Sequence, residues 1–150
     1  MRSPGLDCRV SADCLFCRIV AGRQPAHIVL ETAAVVGFLD SRPVFKGHVL
    51  LVPRDHVATY TDLAEALVLA FFSAGQRVAA AMSNGLGAQG SFVAMNNVVS
   101  QSVPHLHLHI VPRTKGDGLR GFFWPRTTYD GDSDAREFAD RLRAELSRAS

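Results

Sequence analysis

The chain of 150 residues has little cysteine, little net charge and no long uninterrupted apolar run. Its three cysteines are an odd number, which excludes a complete disulfide framework and is typical of a reducing compartment. A net charge of +2 is too small to indicate nucleic-acid binding. No apolar run reaches the roughly 18 residues of a membrane span, and the first residues lack the apolar core of a signal peptide. We therefore expect a cytoplasmic protein that binds neither nucleic acid nor membrane.

The length and composition are those of one globular domain. An apolar content of 47% and a charged content of 20% are ordinary globular values. A chain of this length can bury a self-sufficient core. We expect residues 1–12 to form a flexible leader and residues 13–150 to form a single domain.

The order of helix and strand patterns indicates an α+β domain. Strands are expected at residues 27–31, 34–39, 48–52, 91–96 and 105–111, where Val, Ile and Leu are frequent. Helices are expected at residues 14–20, 63–82 and about 133–147, because the apolar positions follow helical spacing and capping residues flank them. Asn84-Gly85 would end the long helix.

The segment most informative about chemistry is His105-Leu106-His107-Leu108-His109-Ile110-Val111. Alternate side chains of a strand face opposite sides, so the three histidines would share one face and the apolar residues the other. Solvated strand faces favour Thr, Lys, Glu and Ser, whereas this strand holds three of the six histidines in the chain. Imidazole is a nucleophile, a general acid–base or a metal ligand near neutral pH. The pattern therefore indicates a catalytic or metal-binding face.

This heptapeptide resembles the signature of the histidine-triad (HIT) superfamily, His-x-His-x-His-x-x with apolar x. The resemblance runs from about Cys14 to about Pro125 and includes three further segments: Phe38 to His56, Asn96-Asn97 and Gln101-Ser102-Val103. It implies a five-stranded antiparallel sheet with the long helix packed across it, short N-terminal and C-terminal helices, and a homodimer. It also implies a hydrolase or transferase that attacks the α-phosphate of AMP-containing substrates, dinucleoside polyphosphates or nucleoside phosphoramidates, through a nucleotidyl-histidine.

The resemblance assigns roles to single residues of this purine-nucleotide site. The nucleophile would be His107, and the other groups at the phosphate or leaving group would be His109, His48 and Ser102. Asp40 would accept hydrogen bonds from the ribose hydroxyls. Further substrate contacts would come from Asn96, Asn97 and Gln101 beside the sugar–phosphate. The walls of the base pocket would be Phe16, Ile19 and Phe38, although packing in the core accounts equally well for apolar residues at these positions.

The loop before the triad departs from the family pattern. The family usually has a glycine in this turn, often within Gly-Gln-Ser or Gly-Gln-Thr, but this chain has Val98-Val99-Ser100-Gln101-Ser102. Serine reaches a positive φ only at a cost, so we expect altered geometry on the phosphate side. Pro104 lacks an N–H, so the triad strand should begin there or lie at a sheet edge.

Cys14-x-x-Cys17 supplies half of a metal site. Two thiolates and two imidazoles suit a tetrahedral structural zinc, and the resemblance provides His56 and His105 as the remaining ligands. The alternative is a pair of reduced, buried cysteines. A thioredoxin-like redox pair is less expected, because no βαβ pattern precedes the motif.

Two other functions remain open on the sequence alone. One is a zinc-dependent hydrolase whose catalytic zinc is held by His105 and His107 with His109 or His48. The other is a nucleotide-binding module without turnover, in which the altered loop has disabled the chemistry. The Gly-rich, aromatic segment from Lys115 to Trp124 would be a lid, a dimer contact or an ordinary surface loop.

Overall fold

The structure is a computed structural model that describes residues 11–119 and 127–148. Contacts divide the chain into two compact units, residues 1–117 and 118–150. The expected leader lies outside the described residues except for Ser11 and Ala12, and so does much of the aromatic segment before Pro125. The single domain over residues 13–150 stays a prediction.

The first unit confirms the predicted α+β architecture. Its strands are β1 (Ile28–Glu31), β2 (Val35–Leu39), β3 (Val49–Pro53), β4 (Gly90–Ala94) and β5 (Leu108–Arg113). They form one five-stranded sheet in the order β1-β2-β3-β5-β4, and every neighbouring pair is antiparallel. Its α-helices are α1 (Leu15–Val20) and α2 (Glu65–Leu86).

The central strands are apolar on both faces because each face is covered. Val35, Val49 and Leu51 lie in the core that the sheet shares with α2. Val36, Phe38, Leu50 and Val52 lie in a second core, on the opposite face, that includes Phe16, Cys17 and Ile19 of α1. This second core brings α1 against the central strands, where the site is built.

Helix α2 differs from its predicted bounds at both ends. A short 3-10 helix over Tyr60–Asp62, with a Thr59/Asp62 capping box at its N-terminus, precedes α2. Helix α2 ends at Leu86, before Gly87, whose φ is +68°. Helix α2 is long enough, and with a mean hydropathy of 1.4 apolar enough, to cross a membrane. The absence of a long uninterrupted apolar run in the sequence does not predict this. Core helices often meet the same test, and here Phe71 and Met82 are buried in the core shared with the sheet.

The triad strand begins later than predicted. β5 starts at Leu108, so His105 and His107 precede it and only His109 belongs to it. The predicted alternation nevertheless holds, because Leu106, Leu108 and Ile110 all lie in the core on the α2 side. Pro104 precedes the strand, and β5 is an interior strand between β3 and β4, so Pro104 removes no hydrogen bond from the sheet.

The second unit contains the predicted C-terminal helix, α3 (Asp132–Arg148). Its apolar side chains recur on one stripe at Phe138, Leu142 and Leu146. Arg143 and Asp140 form one of the ion pairs along the helix.

Candidate functional site

Four side chains from distant parts of the chain meet between α1 and the triad segment. Cys17 Sγ lies 3.2 Å from His56 Nδ1, and both Cys14 Sγ and Cys17 Sγ lie 3.5 Å from His105 Nδ1. Cys17 and His105 are fully buried. The four ligand atoms lie within 4.8 Å of one another.

This cluster fits a tetrahedral zinc ion. Bonds of about 2.3 Å to sulfur and about 2.0–2.1 Å to nitrogen place sulfur and nitrogen ligands about 3.5 Å apart around such an ion. His105 Nε2 lies 2.9 Å from the Pro53 carbonyl oxygen, which can only accept, so Nε2 carries the proton and Nδ1 faces the sulfurs unprotonated. Burial lowers the pKa of His105 to about 4, which also keeps the ring neutral. An outer hydrogen bond that fixes a ligand's tautomer is typical of metal-bound histidine.

The tautomer of His107 is fixed by the same segment. Its Nδ1 lies 2.7 Å from the backbone carbonyl of His105 and donates to it. The neutral ring therefore has its lone pair on Nε2, the nitrogen that a nucleophile needs. The ring of Phe16 packs edge-on against the His107 ring, with 5.1 Å between centroids. Helix α1 thus contributes both to the metal cluster and to the packing of His107.

His48 and His109 form a second fixed pair. The backbone N–H of Val44 donates to His48 Nδ1 at 3.2 Å, so the proton of neutral His48 lies on Nε2. That nitrogen is 3.0 Å from His109 Nδ1, which must accept. His109 consequently carries its own proton on Nε2. Burial lowers the pKa of His48 below its ordinary value, and it lowers the pKa of His109 to about 4. Both rings are therefore neutral near pH 7.

Asp40 lies beside this pair but does not bind it as an ion partner. Its Oδ2 is 3.6 Å from His48 Nδ1, a nitrogen that already accepts the Val44 N–H and bears no proton in the neutral ring. Its Oδ1 accepts the N–H of Arg42 at 2.8 Å. Asp40, His48 and His109 are close enough to hold a cation, but these hydrogen bonds occupy both nitrogens of His48. The geometry favours a hydrogen-bonded cluster with Oδ2 of Asp40 left to meet a ligand.

A cavity of about 790 Å³ joins most of the predicted site residues. Of the catalytic and ribose candidates, its lining includes His107, His109, Ser102 and Asp40. The predicted base-pocket residues also line it: Phe16, Ile19 and Phe38. His48 is 3% exposed and does not line the cavity, so its contact with the reacting groups runs through His109.

The structure places the three amide candidates elsewhere. Asn96, Asn97 and Gln101 do not line the cavity. Asn97 Oδ1 accepts the Tyr60 N–H at 2.6 Å, and Gln101 accepts the Val98 N–H at 2.9 Å and donates to the Ala58 carbonyl at 2.6 Å. In this structure Asn97 and Gln101 thus hold the loop in place. Their contact with a substrate stays a prediction.

The loop before the triad has the strained backbone that its lack of glycine predicts. Ser100 has φ of +61° and Val98 has φ of +65°, both in the left-handed region that favours glycine. A β-branched residue such as Val98 rarely occupies this region. The Gln101 side chain bridges this loop to Ala58 and helps to hold the strained conformation.

Sequence reasoning missed several polar residues of the cavity. Gln24, His27 and Arg42 line it together with the apolar wall. Arg42 could have been found, since it follows Asp40 by two residues in the matched segment. Gln24 and His27 lie in the connection between α1 and β1, which carries no motif.

Comparison with known proteins agrees with this arrangement. The HIT domain family model matches residues 21–116. The chain is 33% identical over 114 residues to "Adenosine 5'-monophosphoramidase hnt1" of Schizosaccharomyces pombe, which covers 75% of this chain and 83% of that protein. A solved structure from Streptococcus mutans superposes with a TM-score of 0.82 at 30% identity, over 97% of this chain and 93% of that one. A Zn-bound histidine triad family protein from Mycobacterium smegmatis superposes with a TM-score of 0.69 at 37% identity, over 92% and 98%.

The five-stranded sheet and the histidine cluster at its centre define a histidine-triad domain. The chain belongs to the HIT family.

Proposed function

We propose that this protein is a nucleotide hydrolase or transferase that acts on the α-phosphate of AMP-containing substrates, phosphoramidates or dinucleoside polyphosphates, through a nucleotidyl-histidine at His107. One observation carries the proposal. The Nδ1–H of His107 is held by the His105 carbonyl, and the ring lines a cavity large enough for a nucleotide. The unprotonated Nε2 is therefore the nitrogen available for attack.

The two steps follow from the tautomers. His107 Nε2 attacks the α-phosphorus, a P–N bond forms, and the bond to the leaving amine or phosphate breaks. The leaving group takes its proton from solvent water, and His109 Nε2–H donates a hydrogen bond to it. Water then attacks the same phosphorus and releases its proton to solvent, and the P–N bond breaks to release the nucleotide and restore His107. Ser102, which lines the same cavity, would donate a hydrogen bond to a phosphate oxygen.

The remaining cavity residues suit the nucleoside half. Asp40 is a carboxylate at the end of β2 whose Oδ2 can accept from two ribose hydroxyls. Phe16, Ile19 and Phe38 provide the flat apolar wall that a purine face needs. The phosphoramidase name of the fission-yeast relative supports an adenine nucleotide as the substrate.

The zinc site is part of this proposal. Cys14, Cys17, His56 and His105 would hold one Zn²⁺ with all four positions filled by protein, which makes the ion structural. The ion would tie α1 and His56, in the segment that follows β3, to the start of the triad. The name of the mycobacterial structure supports a zinc-bound state.

A homodimer and a cytoplasmic location complete the proposal. β4 is an edge strand of the sheet, carries no bulge in its pairing with β5 and leaves Val93 49% exposed, while Leu69 of α2 is 78% exposed. An open edge and exposed apolar side chains favour pairing with a second copy. Cys14 and Cys17 can bind zinc only in the reduced state, which suits a reducing compartment. We propose neither a nucleic-acid nor a membrane partner.

The test is to trap the intermediate. The protein is mixed with adenosine 5′-phosphoramidate, quenched within a turnover and examined by intact-mass spectrometry and peptide mapping. We expect an adenylyl adduct on the His107 peptide, whereas the His107→Ala variant should give none. Turnover without an adduct, together with rapid loss of activity in chelator, would favour a catalytic metal instead. Binding with neither adduct nor turnover would identify a binding module.

A further inference from the structure

A second cavity, of about 590 Å³, lies on the opposite side of the sheet from α1. It opens between β1 and the C-terminal half of α2, whose contacts with the sheet are mainly with β5. Its floor and walls are mainly apolar and include Val29, Leu39, Val49, Met82 and Leu86. None of the residues proposed for nucleotide chemistry lines it. We name it the β1–α2 groove.

Close packing closes one end of the β1–α2 groove. Gly47 has φ of +98°, and a Cβ built there would lie 2.5 Å from Leu86 Cδ1. Any other residue would therefore displace Leu86 as well as strain the backbone. Leu86 is nevertheless 60% exposed and Val29 is 50% exposed, so the groove presents substantial apolar surface to solvent.

The charge at the groove is of one sign. Among the residues that the structure describes, Lys46 and Arg77 line it, and no aspartate or glutamate does. Both side chains are exposed, and neither forms an ion pair within residues 11–119 and 127–148. An apolar groove beside two uncompensated cations is complementary to a ligand with an apolar body and an anionic end.

We propose that the β1–α2 groove binds a single-chain amphiphile with an anionic head, of the alkyl carboxylate class. The chain lies along the apolar walls between Val29 and Met82, and the head meets Lys46 and Arg77. A second copy of the protein fits this place less well. The β1 edge is interrupted by a register shift between Ile28 and Leu30, which blunts an edge against pairing with another strand. The regular edge strand, β4, lies at the other side of the sheet.

The experiment titrates the full chain with decanoate below its micelle concentration, using calorimetry and amide chemical shifts. Decanol and decyltrimethylammonium, of equal chain length, are the neutral and cationic comparators. The variants are Lys46→Gln/Arg77→Gln, which removes the charge, and Leu86→Glu, which places a carboxylate in the groove. Matched controls are Arg23→Gln/Lys115→Gln and Leu142→Glu, whose residues lie outside the groove. Thermal melting verifies that each variant folds.

We expect saturable binding of decanoate with shifts confined to the groove, weaker binding of decanol and none of the cation. The Lys46→Gln/Arg77→Gln variant should bind decanoate about five- to thirtyfold more weakly, the loss expected from two exposed ion pairs. The Leu86→Glu variant should not bind it. The controls should stay within about twofold of wild type. Absence of saturable binding, equal binding of the cation, or unchanged affinity in the groove variants would overturn the proposal. A Leu86→Glu variant that is smaller in solution than the wild type would also overturn the proposal, because the groove would then be an interface between two copies of the protein.

Discussion

The carbonyl oxygen of His105 accepts the Nδ1–H of His107 at 2.7 Å, while the ring of His105 joins the Cys14–Cys17 cluster. One residue therefore connects the metal cluster to the proposed nucleophile: its ring supplies a ligand nitrogen and its backbone fixes the neighbouring tautomer. A change at the cluster should consequently reach the chemistry through a displacement of this carbonyl.

Replacing His107 with Gly should abolish turnover and preserve nucleotide binding. The loss of a covalent nucleophile costs several orders of magnitude in rate, whereas the ribose and base contacts lie on other residues. Steady-state kinetics with an adenosine phosphoramidate and calorimetry with AMP measure the two effects. His27→Gln, in the same cavity, should remain active. If His107→Gly retained more than a few per cent of the wild-type rate, His107 would not be the nucleophile.

Asp40 should make the site prefer ribonucleotides. A carboxylate that loses its hydroxyl partner leaves a polar group unsatisfied, so dAMP should bind about 1–3 kcal/mol more weakly than AMP. The Asp40→Asn variant should reduce this difference. Calorimetric titrations of both nucleotides against both proteins give the four affinities, and equal affinity of the wild type for AMP and dAMP would refute the role.

Zinc should be present at about one ion per chain, and its removal should lower stability. The ligands bind the metal only when deprotonated and only the folded chain assembles them, so metal binding adds to the free energy of unfolding. Cys14→Ser should lose the metal and several degrees of melting temperature. Cys8→Ser serves as the matched control and should retain both. Metal analysis of tag-free protein without any zinc would contradict the site.

Ser100→Gly should stabilise the protein. The left-handed conformation costs a non-glycine residue roughly 1–2 kcal/mol, and the greater freedom of glycine in the unfolded chain offsets part of that, which leaves a net gain of about 0.5–1 kcal/mol. Ser91→Gly, at a position in β4 without positive φ, should instead destabilise. Urea unfolding of the two variants compares them, and a destabilised Ser100→Gly would show that the strain is not released.

Stability should fall in mild acid partly because of His109. Burial lowers its pKa from 6.5 to about 4 in the fold, so the unfolded chain binds more protons between these values. The contribution is fully present above pH 6.5 and is lost as the pH falls towards 4. His109→Asn should therefore lose less stability than the wild type between pH 7 and 5. An identical loss in both proteins, measured by denaturant unfolding, would exclude this contribution.

Much of the fold could be predicted because local patterns agree with it. The continuous apolar runs at β2 and β3 and the helical spacing in α2 reflect burial that each element needs wherever it packs. The boundaries were less predictable. The triad resembles a strand in its alternation from His105, but the chain becomes a strand only at Leu108, where it pairs with Leu51 of β3. Pairing depends on a partner distant in sequence.

The family, the kinds of side chain at the site and the absence of glycine in the loop before the triad follow directly from the order of the amino acids. Which ring nitrogen carries the proton in His48, His105, His107 and His109 depends instead on contacts that form only in the folded chain. Those protons are set by the carbonyls of Pro53 and His105 and by the N–H of Val44. Backbone carbonyls, and the N–H groups of all residues except proline, are chemically alike. A sequence motif therefore does not indicate which of them will contact a given imidazole. The different roles proposed for His105, His107 and His109 follow from these backbone contacts.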